Sequence, residues 1–246
     1  MAGQQLFARY AYPPNALGYC GPADASEVLG FVHNERTSES FETIARCFEG
    51  TWPYFEFIAA AHGLDPLDEQ VIESYWLGGH LTAAIDVQDD GQALLDELAQ
   101  AGGSWARSRN NLLPGMDPDH NFHVFAVYPW LGLLSRNVGD QPRLVLDRCR
   151  IRWGTVVGTT GEQAIVMSRS LLWDGSDLAL GDPTEETAQL AKADIRLAGE
   201  VYPGDNVALH WDWICDRLTN QQLNDLHSST MRHIDIANRR LDQQLV

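Results

Sequence analysis

The sequence predicts a two-part α+β protein: an acidic, mainly helical domain over residues 1–140, then a β-rich domain over residues 143–246 that ends in a helix. Three observations predict it. Apolar residues recur at helical spacing through the first hundred positions, as in Phe41, Ile44, Ala45, Phe48, Trp52, Phe55 and Ala59. After residue 143 the pattern changes to short β-rich runs separated by turn residues. Charge divides at the same place, with 6 basic and 19 acidic residues in 1–140 against 11 and 15 in 141–246.

Residues 1–20 read as an irregular lead-in, because Pro13-Pro14 and Gly18 interrupt any helix there. Pro22 to Leu29 opens the helical part, with Asp24 and Glu27 suited to the positive end of a helix dipole. The run over 38–62 carries Pro53 as a break or kink, and a third run over 66–85 ends near Gly78-Gly79. The fourth, Gln92 to Ala101, stops at Gly102-Gly103. Residues 104–120 are rich in turn formers and read as a loop. The apolar stretch from His120 to Leu134 fits a buried strand or a buried helix equally well, and Arg136 to Pro142 reads as a linker.

In the second part Leu144-Val-Leu, Cys149 to Gly158 and Gln163 to Trp173 are expected strands. A hairpin turn at 159–162 joins the last two, and a second turn falls at Asp174-Gly175. A polar connection over 182–200 leads to a strand from Asn206 to Trp211, where Trp211 and Trp213 are expected on one face. Thr219 and Gln222 form a capping box for a closing helix with the stripe Leu223, Leu226, Thr230, Ile234, Ala237, Leu241 and Leu245.

Composition excludes several functions. A net charge of −17 lacks the Lys/Arg surplus that displaces counterions from phosphates, so no nucleic-acid partner and no anionic membrane surface is expected. The opening residues have no apolar core of a secretory signal, and the longest apolar stretch is too short to span a bilayer. Four cysteines, Cys20, Cys47, Cys149 and Cys215, are too dispersed for a zinc ribbon or a disulfide scaffold. A reducing, cytoplasmic location is the expectation. The sequence has no Gly-x-Ser-x-Gly elbow, phosphate loop or dinucleotide fingerprint, and no catalytic residue is assigned.

One ordered set of residues carries more information. Cys149-Arg-Ile-Arg-Trp-Gly154-Thr-Val156, then Gly161-Glu-Gln-Ala164-Ile-Val166, then Gly204-Asp205-Asn-Val207-Ala-Leu209-His210 resembles the HypC/HupF family of nickel–iron hydrogenase maturation chaperones. The whole chain also resembles an uncharacterised bacterial family that accompanies hydrogenase genes, on Tyr19-Cys20-Gly21-Pro22 and His120-Asn121-Phe122-His123. The HypC/HupF resemblance implies a small β-barrel with a trailing helix over 143–246. It further implies a non-enzymatic accessory factor that engages the hydrogenase large-subunit precursor or another maturation protein. Cys149 and His210 would then be the metal- and cofactor-binding pair, contacting a transient Fe(CN)2CO cargo. A thiolate suits such a soft centre, and Arg148, Arg150 and Arg152 are expected to favour it. The sequence departs from the family in placing Cys149 internally rather than at the amino terminus, with Trp153 where the family has proline.

A second reading is a metal- or thiol-dependent enzyme whose site lies in the N-terminal half, on Cys20, His120 and His123. Two histidines three apart share one face of a helix, whereas on a strand they point to opposite sides. A third is a structural interaction subunit. Cys47 and Cys215 sit among apolar neighbours and are expected to be buried.

Overall fold

A computed structural model describes residues 2–32, 38–102, 112–136, 139–193 and 195–243. The loop expected over 104–120 and the stripe residue Leu245 therefore fall partly or wholly outside the described residues.

The first part is helical. Helices α1 (Ala2–Ala16), α2 (Ser26–Val32), α3 (Ser38–Arg46), α4 (Trp52–His62), α5 (Glu69–Leu77), α6 (His80–Ala83), α7 (Val87–Asp90) and α8 (Gln92–Gly102) follow one another. Pro53 lies in the first turn of α4, where its missing N–H costs nothing, so the 38–62 run is two helices. The lead-in expected over 1–20 is instead the helix α1. Pro13 and Pro14 lie in its final turn, and burial of Leu6, Phe7, Tyr10 and Ala11 outweighs the lost backbone hydrogen bonds.

The ambiguous stretch after residue 119 is helical too. It comprises α9 (His120–Phe122), a π-helical turn (His123–Val127) and α10 (Trp130–Ser135). Next comes α11 (Gln141–Cys149), which corrects the strand expected at Leu144-Val-Leu and the strand expected to open with Cys149. The reason is its periodicity: Val145, Leu146 and Cys149 recur at helical spacing and are buried together, behind Pro142 in the first turn.

Strands β1 (Arg152–Thr160) and β2 (Gln163–Ser168) form the expected antiparallel hairpin, with Thr160 paired to Gln163 across Gly161 at φ +60°. The run expected to extend to Trp173 breaks. β3 (Leu171–Trp173) pairs with β4 (Leu178–Leu180) in a separate ribbon around the expected Asp174-Gly175 turn. The polar connection contains a strand, β5 (Thr184–Gln189), of which Ala188 alone is buried; its Thr/Glu/Gln composition hid it. β6 (Asn206–His210) stops one residue short of expectation. Trp211, at φ +52°, and Asp212 turn the chain into β7 (Trp213–Arg217), so Trp211 and Trp213 do not share a strand face.

These five longer strands are hydrogen-bonded in the order β1-β2-β5-β7-β6, and β6 returns to β1. The ring of pairings is completed by one parallel pair, Gln189 with Trp213. Its interior is filled by Val156, Val166, Val207, Leu209 and Ile214. The closing helix α12 (Asn220–Asp242) begins with the expected reciprocal cap: Gln222 N–H donates to the Thr219 hydroxyl, and Thr219 N–H donates to the Gln222 side chain.

The largest hydrophobic cluster runs across the expected boundary near residue 140. It joins Phe7, Tyr10, Phe55 and Trp76 of the helical part to Ile151, Ala208, Cys215, Leu226 and Ile236. Helix α1 lies against β6 and β7. No helix among the described residues is long and apolar enough to cross a membrane.

Candidate metal-binding pocket

Where the helical part meets the sheet, the chain encloses a pocket of about 300 Å³. Three segments far apart in sequence deliver its polar groups. The first is the α9–π segment. Asp119 caps it by accepting from Phe122 N–H at 2.9 Å, and Tyr128 N–H reaches back five residues to the His123 carbonyl at 3.0 Å. This turn sets both His120 and His123 on the pocket wall. A π-turn widens a helix by one residue and occurs often at functional sites.

The second is the end of α11, which brings in Cys149; the third is the end of β6, which brings in His210. A ring nitrogen of His120, Sγ of Cys149 and a ring nitrogen of His210 lie within 4.8 Å of one another. The two residues singled out for the C-terminal part therefore meet one residue of the N-terminal alternative. Cys20 and His123 line the same pocket. They also line a neighbouring outer cleft with Cys47, which is exposed rather than buried as expected; Cys215 is buried.

Hydrogen bonds assign the protons. His120 Nε2 lies 2.8 Å from the Cys149 carbonyl, so it donates. Its Nδ1 is then an acceptor and takes the Tyr75 hydroxyl proton at 3.2 Å; Tyr75 in turn lies 3.3 Å from the Thr51 hydroxyl. His210 Nδ1 donates to the Tyr10 carbonyl at 2.7 Å. His210 Nε2 therefore carries a lone pair, is buried, and has no hydrogen-bond partner. His123 Nδ1 pairs with the Tyr54 hydroxyl at 3.1 Å. Gly50 admits its ring: a Cβ there would lie 3.1 Å from His123 Cε1 and Nε2.

The pocket is electrically quiet. Burial lowers the pKa of His120 to about 4 and, together with His120, that of His123 to about 3. Burial also holds His210 well below the ordinary value. All three are neutral near pH 7. The Cys149 thiol is raised by burial and then by Cys20, whose own thiol burial pushes up to about 12.

This corrects the expected role of the arginines. Arg150 is held by Asp147 at 2.9 Å, Arg152 by Glu186 and the Trp211 carbonyl, and Arg148 by Glu186 at 3.1 Å and Asp212 at 3.2 Å. None of the three lines the pocket. They bind α11 and β1 to the sheet and its neighbours. Of the aromatic walls, Tyr75, Trp76 and Tyr128 were not singled out from sequence, and Trp211 was singled out only as one of a pair with Trp213.

The chemistry available is that of a soft or borderline metal ion. One thiol and two imidazoles form a familiar donor set with a fourth position open. In such a site the ligand atoms lie about 3.3–3.8 Å apart, from metal–ligand bonds of about 2.0–2.3 Å. The group seen here, within 4.8 Å, would close by at most about 1.5 Å. His210 would give a metal its unpartnered Nε2 at no cost in hydrogen bonds, whereas His120 would exchange one existing hydrogen bond for the metal.

The fold and site define a mixed α/β protein with a buried His/Cys/His cluster between a helical part and a five-stranded sheet. The chain belongs to a family of unknown function, DUF6390, whose model matches residues 1–244. Comparison with curated proteins returns no match, and comparison with solved structures returns none.

Proposed function

We propose that this protein is a metal-binding accessory factor that holds a soft metal centre on Cys149 and His210, with His120 as a third donor. The observation that carries the reading is a ring nitrogen of His210 in the same group as the Cys149 sulfur, on a residue whose buried Nε2 has no hydrogen-bond partner. A buried acceptor without a partner costs about 1–3 kcal/mol, and a metal bond would offset that cost. Within this reading, the HypC-like ring of strands is a small barrel and the cargo is Fe(CN)2CO in transit to a hydrogenase large-subunit precursor. The convergence of Cys149 and His210 supports that version. The engagement of all three arginines with carboxylates removes one argument for it.

The test is anaerobic titration of the full chain with Co²⁺, which reports thiolate ligation by a charge-transfer absorption. One Co²⁺ per chain with that band is expected; Cys149→Ala should lose the band, and His210→Ala should weaken binding at least tenfold. Equal binding by wild type and Cys149→Ala would refute the site. Infrared spectra of protein prepared without oxygen from a hydrogenase-producing host test the cargo separately. Cyanide and carbonyl stretches that vanish in Cys149→Ala are expected, and their absence from the wild type would refute the hydrogenase assignment.

A further inference from the structure

The metal reading leaves two features of the pocket unused. The first is a pair of hydrogen-bond donors. The indole Nε1 atoms of Trp76 and Trp211 are both buried and both lack an acceptor, and both residues line the pocket with His210. Trp76 lies beside the cluster, its ring centroid 4.8 Å from that of His120 and 5.8 Å from that of His210. Trp211 follows His210 in sequence and is covered by Tyr19, stacked at 4.3 Å. A buried indole N–H ordinarily finds a partner. Two orphan donors and one orphan acceptor on the wall of one cavity match a guest with complementary groups.

The second feature is charge. Among the described residues lining the pocket there is no Lys, Arg, Asp or Glu. A net charge in a pocket without charged side chains is penalised. A divalent ion on the Cys149 thiolate leaves a net charge of +1, which one monoanion would cancel. The cluster of three ligand atoms does not include Cys20, and an ion held by three protein donors keeps a fourth position open.

Resting on the metal reading, we infer that the pocket binds its metal together with one small monoanion, for which azide serves as the probe. One end of the anion bonds the metal, and the rest of it accepts hydrogen bonds from the indole N–H groups of Trp76 and Trp211. No redox or group-transfer step is involved. The metal gains a ligand, and the anion exchanges water for two indole donors.

The experiment uses the full chain and azide. In the Co²⁺-loaded protein, azide should shift the ligand-field spectrum saturably with one azide per chain. In protein loaded with Co²⁺, Trp76→Phe and Trp211→Phe should each weaken azide about tenfold, as expected for loss of one hydrogen bond to a charged acceptor. Because Trp76 is a core residue, a second measurement uses wild-type protein alone. With ¹⁵N-labelled tryptophan and Zn²⁺, azide should move the indole N–H signals of Trp76 and Trp211 among the eight tryptophans of the chain. Azide binding that leaves those two signals in place overturns the inference. So does Co²⁺ binding that azide does not perturb, or azide binding that appears only in Cys20→Ala, which would make Cys20 the fourth ligand. Failure to bind Co²⁺ at all removes the metal reading itself, a distinct result.

Discussion

Replacing Arg152 by Met separates a structural role from a cargo role for the residue nearest Cys149 on β1. The Arg152 side chain is 2% exposed and that of Glu186 is 18% exposed. Arg152 pairs with Glu186 and donates to the Trp211 carbonyl. Methionine keeps most of the stem and removes the charge. Breaking a buried ion pair by deleting one partner costs about 3–5 kcal/mol, because the other charge is left without compensation. Here Glu186 keeps Ser168 and Arg148 as donors and retains some exposure, so the lower end applies. The orphaned Trp211 carbonyl falls within the same figure. The expected loss is about 3 kcal/mol. At a urea dependence of about 3 kcal/mol per molar, the top of the usual range, the unfolding midpoint should fall by about 1 M. Co²⁺ affinity of the folded fraction should change less than threefold. The measurement is urea unfolding followed by circular dichroism, with cobalt titration of the same preparation. Wild-type stability with loss of metal binding would refute the reasoning and return Arg152 to the pocket.

Other outcomes follow from the same geometry. Metal binding must displace the Cys149 proton, so affinity should rise about tenfold per pH unit below that thiol's raised pKa, with one proton released per metal in a pH-stat. An affinity independent of pH between 6 and 8 would remove the thiolate. His120, His123 and His210 are all held below their ordinary pKa, so the unfolded chain binds protons that the folded chain refuses. Their contribution is full above about pH 6.5 and is lost as pH falls toward about 4 for His120 and about 3 for His123. Three such groups give a slope of up to about 4 kcal/mol per pH unit, and a flat urea midpoint from pH 7 to 5 would contradict it. Thr219→Ala removes the reciprocal cap of α12 and should cost about 1 kcal/mol with no effect on metal affinity. A fragment of residues 1–140 should unfold without cooperativity, because its cluster is completed by Ile151, Ala208, Cys215 and Leu226; a sharp transition would show that the helical part stands alone.

Local chemistry determined what could be read along the chain. The β1–β2 hairpin follows from alternating apolar residues around a glycine that takes φ +60° at no steric cost. The α12 cap follows from Thr219 and Gln222 three residues apart, and the break at Gly78-Gly79 ends α5 as its sequence implies. In each case the deciding contacts lie within a few residues. Tertiary structure decided the rest. α1 forms despite Pro13-Pro14 because its apolar face is buried against distant elements. β5 is a strand because β2 and β7 flank it, not because its Thr/Glu/Gln composition favours one. Cys149 ends a helix where a strand was expected, because Val145, Leu146 and Cys149 are buried together against distant elements. Cys149 and His210 were singled out with one part of the chain, Cys20, His120 and His123 with the other. Packing of the helical part on the sheet places all five on one wall, a proximity that no local spacing encodes. The free lone pair of His210 has the same origin. It exists because Tyr10, two hundred residues away, accepts the proton on the other nitrogen.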